Sequence, residues 1–207
     1  MSDQPHHVHG YWRRHVAALF RWLHIYLSMV SFVILFFFAI TGITLNHAGW
    51  FGKNAASTRT RKGTVQLDWV KTKDASAVDK LKIVEQLRAV HDIKGALGEF
   101  TVEDAQCAVS FRGPGYTGDV TINRETAEYE LIETRMGVVA ILNDLHKGRD
   151  TGPVWSWIID ISAGLMVVVS MTGLVLIFFI KRRRMTGLLA LVIGGLLCAL
   201  LYWLCVP

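Results

Sequence analysis

The stretch RWLHIYLSMVSFVILFFFAITGITLNH, residues 21–47, decides the fold class. An apolar run of this length exceeds the ~20 residues a helix needs to cross a bilayer. It also exceeds the roughly 7–15-residue core of a signal peptide, and no convincing small-residue cleavage site follows, so an uncleaved anchor is expected. Two further runs of the same kind cover residues 153–180 and 188–206. The expected architecture is a membrane α-helical protein with three transmembrane helices at 19–47, 153–180 and 188–206. A short tail, 1–18, precedes them, and a basic turn, 181–187, separates the second from the third.

The basic residues set the expected orientation. Arg13, Arg14 and Arg21 flank the first span, and Lys181, Arg182, Arg183 and Arg184 follow the second. Short basic flanks stay on the cytoplasmic side. Residues 53–145 carry 13 Lys/Arg against 14 Asp/Glu, and loops beyond about 60 residues translocate largely regardless of charge. The tail is therefore expected in the cytoplasm, with the large insertion and the C-terminus outside. The formal net charge of +5 reflects topology, so membrane lipid rather than nucleic acid is the expected partner.

The insertion reads as one small α+β domain, residues 53–135, followed by an interfacial helix at 136–150. In SAVDKLKIVEQLRAVHD, residues 76–92, Val78, Leu81, Val84, Leu87 and Val90 recur every third position as an apolar stripe, with Asp74 or Ser76 available as the cap. Alternating runs at 100–112 and 118–133 read as strands, the second broken by a turn near Asn123-Arg124-Glu125. Gly113-Pro114-Gly115-Tyr116-Thr117-Gly118 matches G-x-G-x-x-G but leads into a strand, so it reads as a hairpin turn and not as a dinucleotide site. Cys107 stands alone in the domain, and Cys198 and Cys205 lie in the last span, which implies no disulfide framework. The absence of Cys-x-x-Cys-His means that any haem would be held by coordination only.

Three histidines carry the chemical reading. His24 lies near the cytoplasmic end of the first span, His47 closes its outer end, and His146 precedes the second span. The 23 residues from His24 to His47 correspond to about 34 Å of helix, so these two cannot share an iron. His47 and His146 are expected at one depth, where two imidazoles suit the axial positions of a b-type haem. The alternative is that each is an interfacial polar residue. His24, inside FRWLHIYLSMV, is either a ligand or a side chain reaching the interface. A haem on His24 would need a second ligand from Met185, from His15 or from another copy of the chain, which makes a homodimer a conditional expectation. Thr41-Gly42 and Thr172-Gly173 form an internal echo, read either as helix packing or as room for a macrocycle. Asp160 is positioned to orient a ligand histidine or to reach interfacial water. His91 reads as a surface residue of its helix, and His6, His7 and His9 as a disordered tail rather than a metal site.

The two membrane segments, residues 21–47 and LHKGRDTGPVWSWIIDISAGLMVVVSMTGLVL, resemble those of the PepSY-associated transmembrane family. GDVTINRETAEYEL is similar to the strand-turn-strand of a PepSY domain, although Ala127 replaces the usual turn glycine. The resemblance covers most of residues 15–184. It implies a bacterial inner-membrane protein with a periplasmic PepSY-like domain between the first and second helices, and a siderophore-reductase-like oxidoreductase activity. The family's haem-binding histidines fall on His24, His47 and His146. Three spans, where such reductases commonly have four or more, put a complete two-haem wire within one subunit in doubt and favour oligomerisation. The resulting expectation is electron transfer through haem b, one or two per chain or per dimer. A quinol or a cytoplasmic flavoprotein would be the donor, and a periplasmic ferric siderophore or other metal chelate the acceptor. The rival expectations are a non-redox PepSY accessory that binds a periplasmic partner, or a metal-uptake accessory.

Overall fold

The computed structural model describes residues 6–51, 56–72 and 74–207, with the side chains of residues 6–10, 51 and 75 outside the description. His6, His7 and His9 therefore lie outside the described side chains. Three helices are long and apolar enough to cross a membrane: α1 (His6–Asn46), α6 (Gly152–Phe179) and α7 (Arg184–Cys205). With 41 residues, α1 is about 60 Å long and exceeds the ~30 Å hydrocarbon layer. It begins well before residue 19, so the tail expected over 1–18 is helical from His6. A short helix, α2 (Ala48–Phe51), follows α1.

The chain divides into two compact units, Met1–Phe36 with Asp160–Pro207, and Phe37–Ile159. In the first, Ser31, Ser162 and Thr172 are buried while most apolar side chains face outward. That pattern suits lipid surroundings, where helices associate through small and hydroxylated residues and not by hydrophobic exclusion.

The second unit contains the α+β fold. Its strands are β1 (Ser57–Thr64), β2 (Ala96–Val102), β3 (Gln106–Gly113), β4 (Tyr116–Asn123) and β5 (Glu128–Arg135). They form one antiparallel sheet in the order β1-β5-β4-β3-β2. The hairpin expected at Gly113–Gly118 joins β3 to β4, with Gly113 opposite Tyr116. The run at 100–112 divides into parts of β2 and β3, and β1 was not foreseen, since its SerThrArgThrArgLysGlyThr sequence lacks apolar alternation. It is an edge strand, and a charged edge resists pairing with other chains.

The remaining helices are α3 (Leu67–Val70), α4 (Lys80–His91) and α5 (Val138–Lys147). The apolar stripe expected on α4 is partly wrong. Val78, Val84 and Leu87 are buried, but Leu81 is 68% and Val90 59% exposed, and Ile83 and His91 take the inward positions. Residues spaced by three drift by about 60° per step on a helix of ~3.6 residues per turn, so five cannot share one face. The helix starts at Lys80 with Asp79 accepting from Lys82 N, whereas Asp74 caps a preceding 3-10 turn through Ser76 N.

The core joins α4 to alternate residues of the sheet, among them Ile83, Leu87, Cys107, Val109, Phe111, Val120, Ile122 and Leu131. Ala127 adopts φ 60° in the β4–β5 turn, the left-handed conformation that explains why a glycine would be usual there. In the same turn the Arg124 guanidinium donates to the carbonyls of Val70, Thr72, Glu103 and Asp104. One planar fork thus ties three loops together.

His91 is not a surface residue. Only 8% exposed, it lies 2.7 Å from the Tyr129 hydroxyl through Nε2 and 3.4 Å from Arg61 through Nδ1. Arg61 also pairs with the buried Glu133 at 3.4 Å. Burial, reinforced by the Arg61 charge and opposed by Glu133, holds the His91 pKa below its ordinary value. The unfolded chain therefore binds more protons at this residue than the folded one, and its contribution is complete above about pH 6.5 and lost as the pH falls toward the lower folded value. Protection factors of the β1 and β5 amides, taken against the intrinsic exchange rate at each pH, should fall on acidification from pH 7 to 5, by a smaller factor in His91→Gln than in the parent. An equal fall in both would contradict this assignment.

Candidate functional site: two histidine seats

Helix α5 carries His146. Its N-terminal residue Gly137 leaves the sheet in extended conformation, and Gly148 closes the helix at φ 68°, with its N–H directed to Asp144 and Leu145 carbonyls. Three contacts fix α5 against its surroundings. Asp144, 4% exposed, accepts from Gly115 N at 2.8 Å and pairs with Arg149. Thr44 Oγ1 lies 2.8 Å from the Asn143 side-chain oxygen. Trp155 Nε1 donates to the Leu145 carbonyl at 2.8 Å.

The His146 ring meets the Thr41-Gly42 pair of α1. Its Nδ1 lies 2.7 Å from Thr41 Oγ1, and the Thr41 hydroxyl lies 2.7 Å from the Phe37 carbonyl. That carbonyl can only accept, so the single hydroxyl proton is committed to it and Oγ1 accepts from Nδ1–H. The assignment leaves Nε2 as the nitrogen with the free lone pair. Phe38 packs edge-on against the ring with centroids 5.2 Å apart. A Cβ on Gly42 would stand 3.6 Å from His146 Cε1, which is ordinary contact.

The same local arrangement recurs at His24 in the first unit. His24 Nδ1 lies 2.9 Å from Thr172 Oγ1 and 3.2 Å from the Val169 carbonyl, to which the Thr172 hydroxyl donates at 2.7 Å. A carbonyl cannot donate, so the proton sits on Nδ1 and Nε2 again keeps its lone pair. Here a Cβ on Gly173 would come within 3.1 Å of His24 Cε1. The Thr-Gly echo in the sequence is thus a pair of equivalent histidine seats.

His47 lies just beyond the end of α1. Its N–H returns to the Ile43 carbonyl at 3.0 Å, and its ring stacks on Trp50 at 3.9 Å and 11°. The structure thus brings His146 to Thr41 and Gly42, and places His47 against Trp50. His15 is directed to the Tyr11 carbonyl at 3.0 Å, Met185 is 73% exposed, and Asp160 is exposed on α6. Among the described residues no group of three or more His, Cys, Asp and Glu side chains gathers as a metal cluster.

A cleft of about 390 Å³ opens beside the β3–β4 hairpin, lined by residues that include Lys94, Gly115, Tyr116, Arg135, Met136 and Ile141. Tyr116 donates to Glu133 at 3.0 Å, and burial together with that carboxylate pushes its pKa up to about 12. The hairpin tip touches α5 directly, since Gly115 at φ 65° holds Ile141 where a Cβ would stand 2.5 Å from Ile141 Cγ1. Asn143 and Asp144 carry no expected role in the sequence, and neither the hydrogen bond of Thr41 to His146 nor the contact of Gly115 with α5 is expected from it. The only available signals were the repeated Thr-Gly dipeptide and the polar Asn143-Asp144 within an apolar helix. Gly115→Ala should destabilise the second unit by about 2–4 kcal/mol, through left-handed strain and overpacking together. Denaturant unfolding of the full chain checks this, and a change below about 1 kcal/mol would show that the hairpin does not anchor α5.

A model of the PepSY_TM-like family matches residues 18–207. No curated protein and no solved structure matches the chain. With α1 from residue 18 onward, α6, α7, both histidine seats and the intervening sheet inside the matched region, this membrane protein belongs to the PepSY_TM-like family.

Proposed function

We propose that the chain is an inner-membrane b-type haem protein that transfers electrons to a periplasmic acceptor, and that this acceptor is a ferric siderophore whose iron is released on reduction. The observation that carries the reading is the state of the two seated histidines. Each sets Nδ1 against a threonine hydroxyl, at 2.9 Å for His24 and 2.7 Å for His146, the arrangement found when one imidazole nitrogen is held by a hydrogen bond and the other binds a metal. The donors fit a haem iron, and Gly42 and Gly173 let each ring lie close against the facing helix, where a Cβ would stand 3.6 and 3.1 Å from Cε1. Haem supplies one-electron exchange at its iron.

The chain's own residues do the rest. Thr41 and Thr172 fix the tautomer and the ring plane, and each hydrogen bond makes its imidazole a stronger donor. Asp144, Asn143 and Trp155 hold α5, and therefore His146, in place. His47 is the proposed partner of His146 at an outer haem. His24 is left with an unmatched lone pair, because three histidines leave one over when each iron takes two, and a second copy of the chain completes it. A quinol or a cytoplasmic flavoprotein is the proposed donor. The cleft beside the β3–β4 hairpin is the proposed docking place for the chelate, since its wall includes Ile141 of α5; its cations Lys94 and Arg135 lie 3.7 Å from Asp92 and Glu133.

Purified protein from haem-sufficient cells should show a Soret band. His24→Ala and His146→Ala should each reduce the haem content at least severalfold. Thr41→Val and Thr172→Val should keep haem but raise its midpoint potential, while Thr→Ser at either site stays at the parent value. A folded, colourless parent protein would overturn the haem reading and leave the non-redox accessory role. A coloured parent with unshifted valine variants would remove the threonines from the account.

A further inference from the structure

In the first compact unit, a second cleft of about 580 Å³ lies between the N-terminal half of α1 and the end of α6. Its lining includes Arg13, Arg14, Arg21 and Lys181, with Leu176 and Phe179 as apolar wall. Arg14, Ala17 and Arg21 are spaced by three and four residues, so α1 presents them on one face. Among the described residues none of the four cations makes a salt bridge.

The scarcity of counter-charge is written into the sequence. Within Met1–Phe36 and Asp160–Pro207 the carboxylate side chains are Asp3 and Asp160. Asp3 lies outside the described residues. Asp160 is twenty residues before Ile180 on α6, about 30 Å away along the helix. Four like charges converging on one concavity repel one another, and an oxyanion bound among them relieves that repulsion. The positive-inside rule accounts for cations at this end of the spans. It does not require that they line a common cleft.

We propose that this cleft binds the phosphate headgroup of an anionic membrane phospholipid. The lining matches both parts of such a molecule. Arginine forks grip phosphate oxygens, and Leu176, Phe179 and Ala17 offer apolar surface to the start of an acyl chain. Arg13, Arg14 and Arg21 precede the apolar run of α1 and Lys181 follows that of α6, where long basic side chains reach headgroup depth. A soluble anion would use the cations and leave the apolar wall without a role. The proposal is independent of the haem reading.

Native mass spectrometry of the full chain, extracted in mild detergent from membranes containing phosphatidylglycerol and cardiolipin, tests it. The parent should retain anionic phospholipid in preference to phosphatidylethanolamine. Arg14→Gln combined with Arg21→Gln should reduce retention at least tenfold, and the corresponding lysine pair should keep part of it. Arg182→Gln combined with Arg183→Gln removes the same charge outside the cleft and should leave retention unchanged. Monodisperse elution of each variant in gel filtration establishes folding. Equal loss in both glutamine pairs would mean a diffuse basic field and would overturn the proposal. Displacement of the lipid by millimolar inorganic phosphate would also overturn it, by showing a site for a free anion.

Discussion

The hydrogen bond from His146 Nδ1 to Thr41 is the interaction on which the second unit's functional geometry depends. An imidazole among apolar helices needs an acceptor for its N–H, because an unsatisfied buried donor costs about 1–3 kcal/mol. Thr41 meets that need at 2.7 Å while its own proton stays on the helix backbone. The consequence is chemical as well as structural, since a proton on Nδ1 leaves the lone pair on the far nitrogen. At His24 the same solution appears with Thr172 and Gly173.

Two supports converge on α5. The sheet reaches it through the Gly115 hairpin tip, and α1 reaches it through Thr41 and Thr44. A small α+β fold stands behind that hairpin, and beside its apolar core Glu133, Arg61, Tyr116, Tyr129 and His91 form a connected network. Buried networks of this kind are unforgiving of partial satisfaction. Here they make the sheet a defined platform, and the cleft beside the hairpin shares Ile141 with α5. A ligand in that cleft would therefore touch the helix that carries His146.

Much of this was legible in the sequence. The three apolar helices were readable because bilayer thickness imposes a length that few other structures need. The hairpin at Gly113–Gly118 was readable from glycine and proline placement, and the membrane histidines stood out because ionisable groups are rare in apolar runs. The exposed faces of α4 are hidden in the sequence because a three-residue spacing resembles one stripe while it drifts around the helix. β1 was missed because an edge strand made of threonine, arginine and lysine has no apolar period. His91 reads as a surface residue in the sequence because its partners, Tyr129 and Arg61, are 38 and 30 positions away. For the same reason the Thr-Gly echo could not be told from helix packing: its meaning lies in histidines 105 and 148 positions distant.

The central claim is that seated histidines present Nε2 to a haem iron. Electron paramagnetic resonance of the oxidised, purified full-length protein addresses it most directly, because the signal reports the axial ligands themselves. The account predicts low-spin ferric iron with two imidazole ligands. High-spin iron with an open axial position, or protein that carries no haem iron, would contradict it.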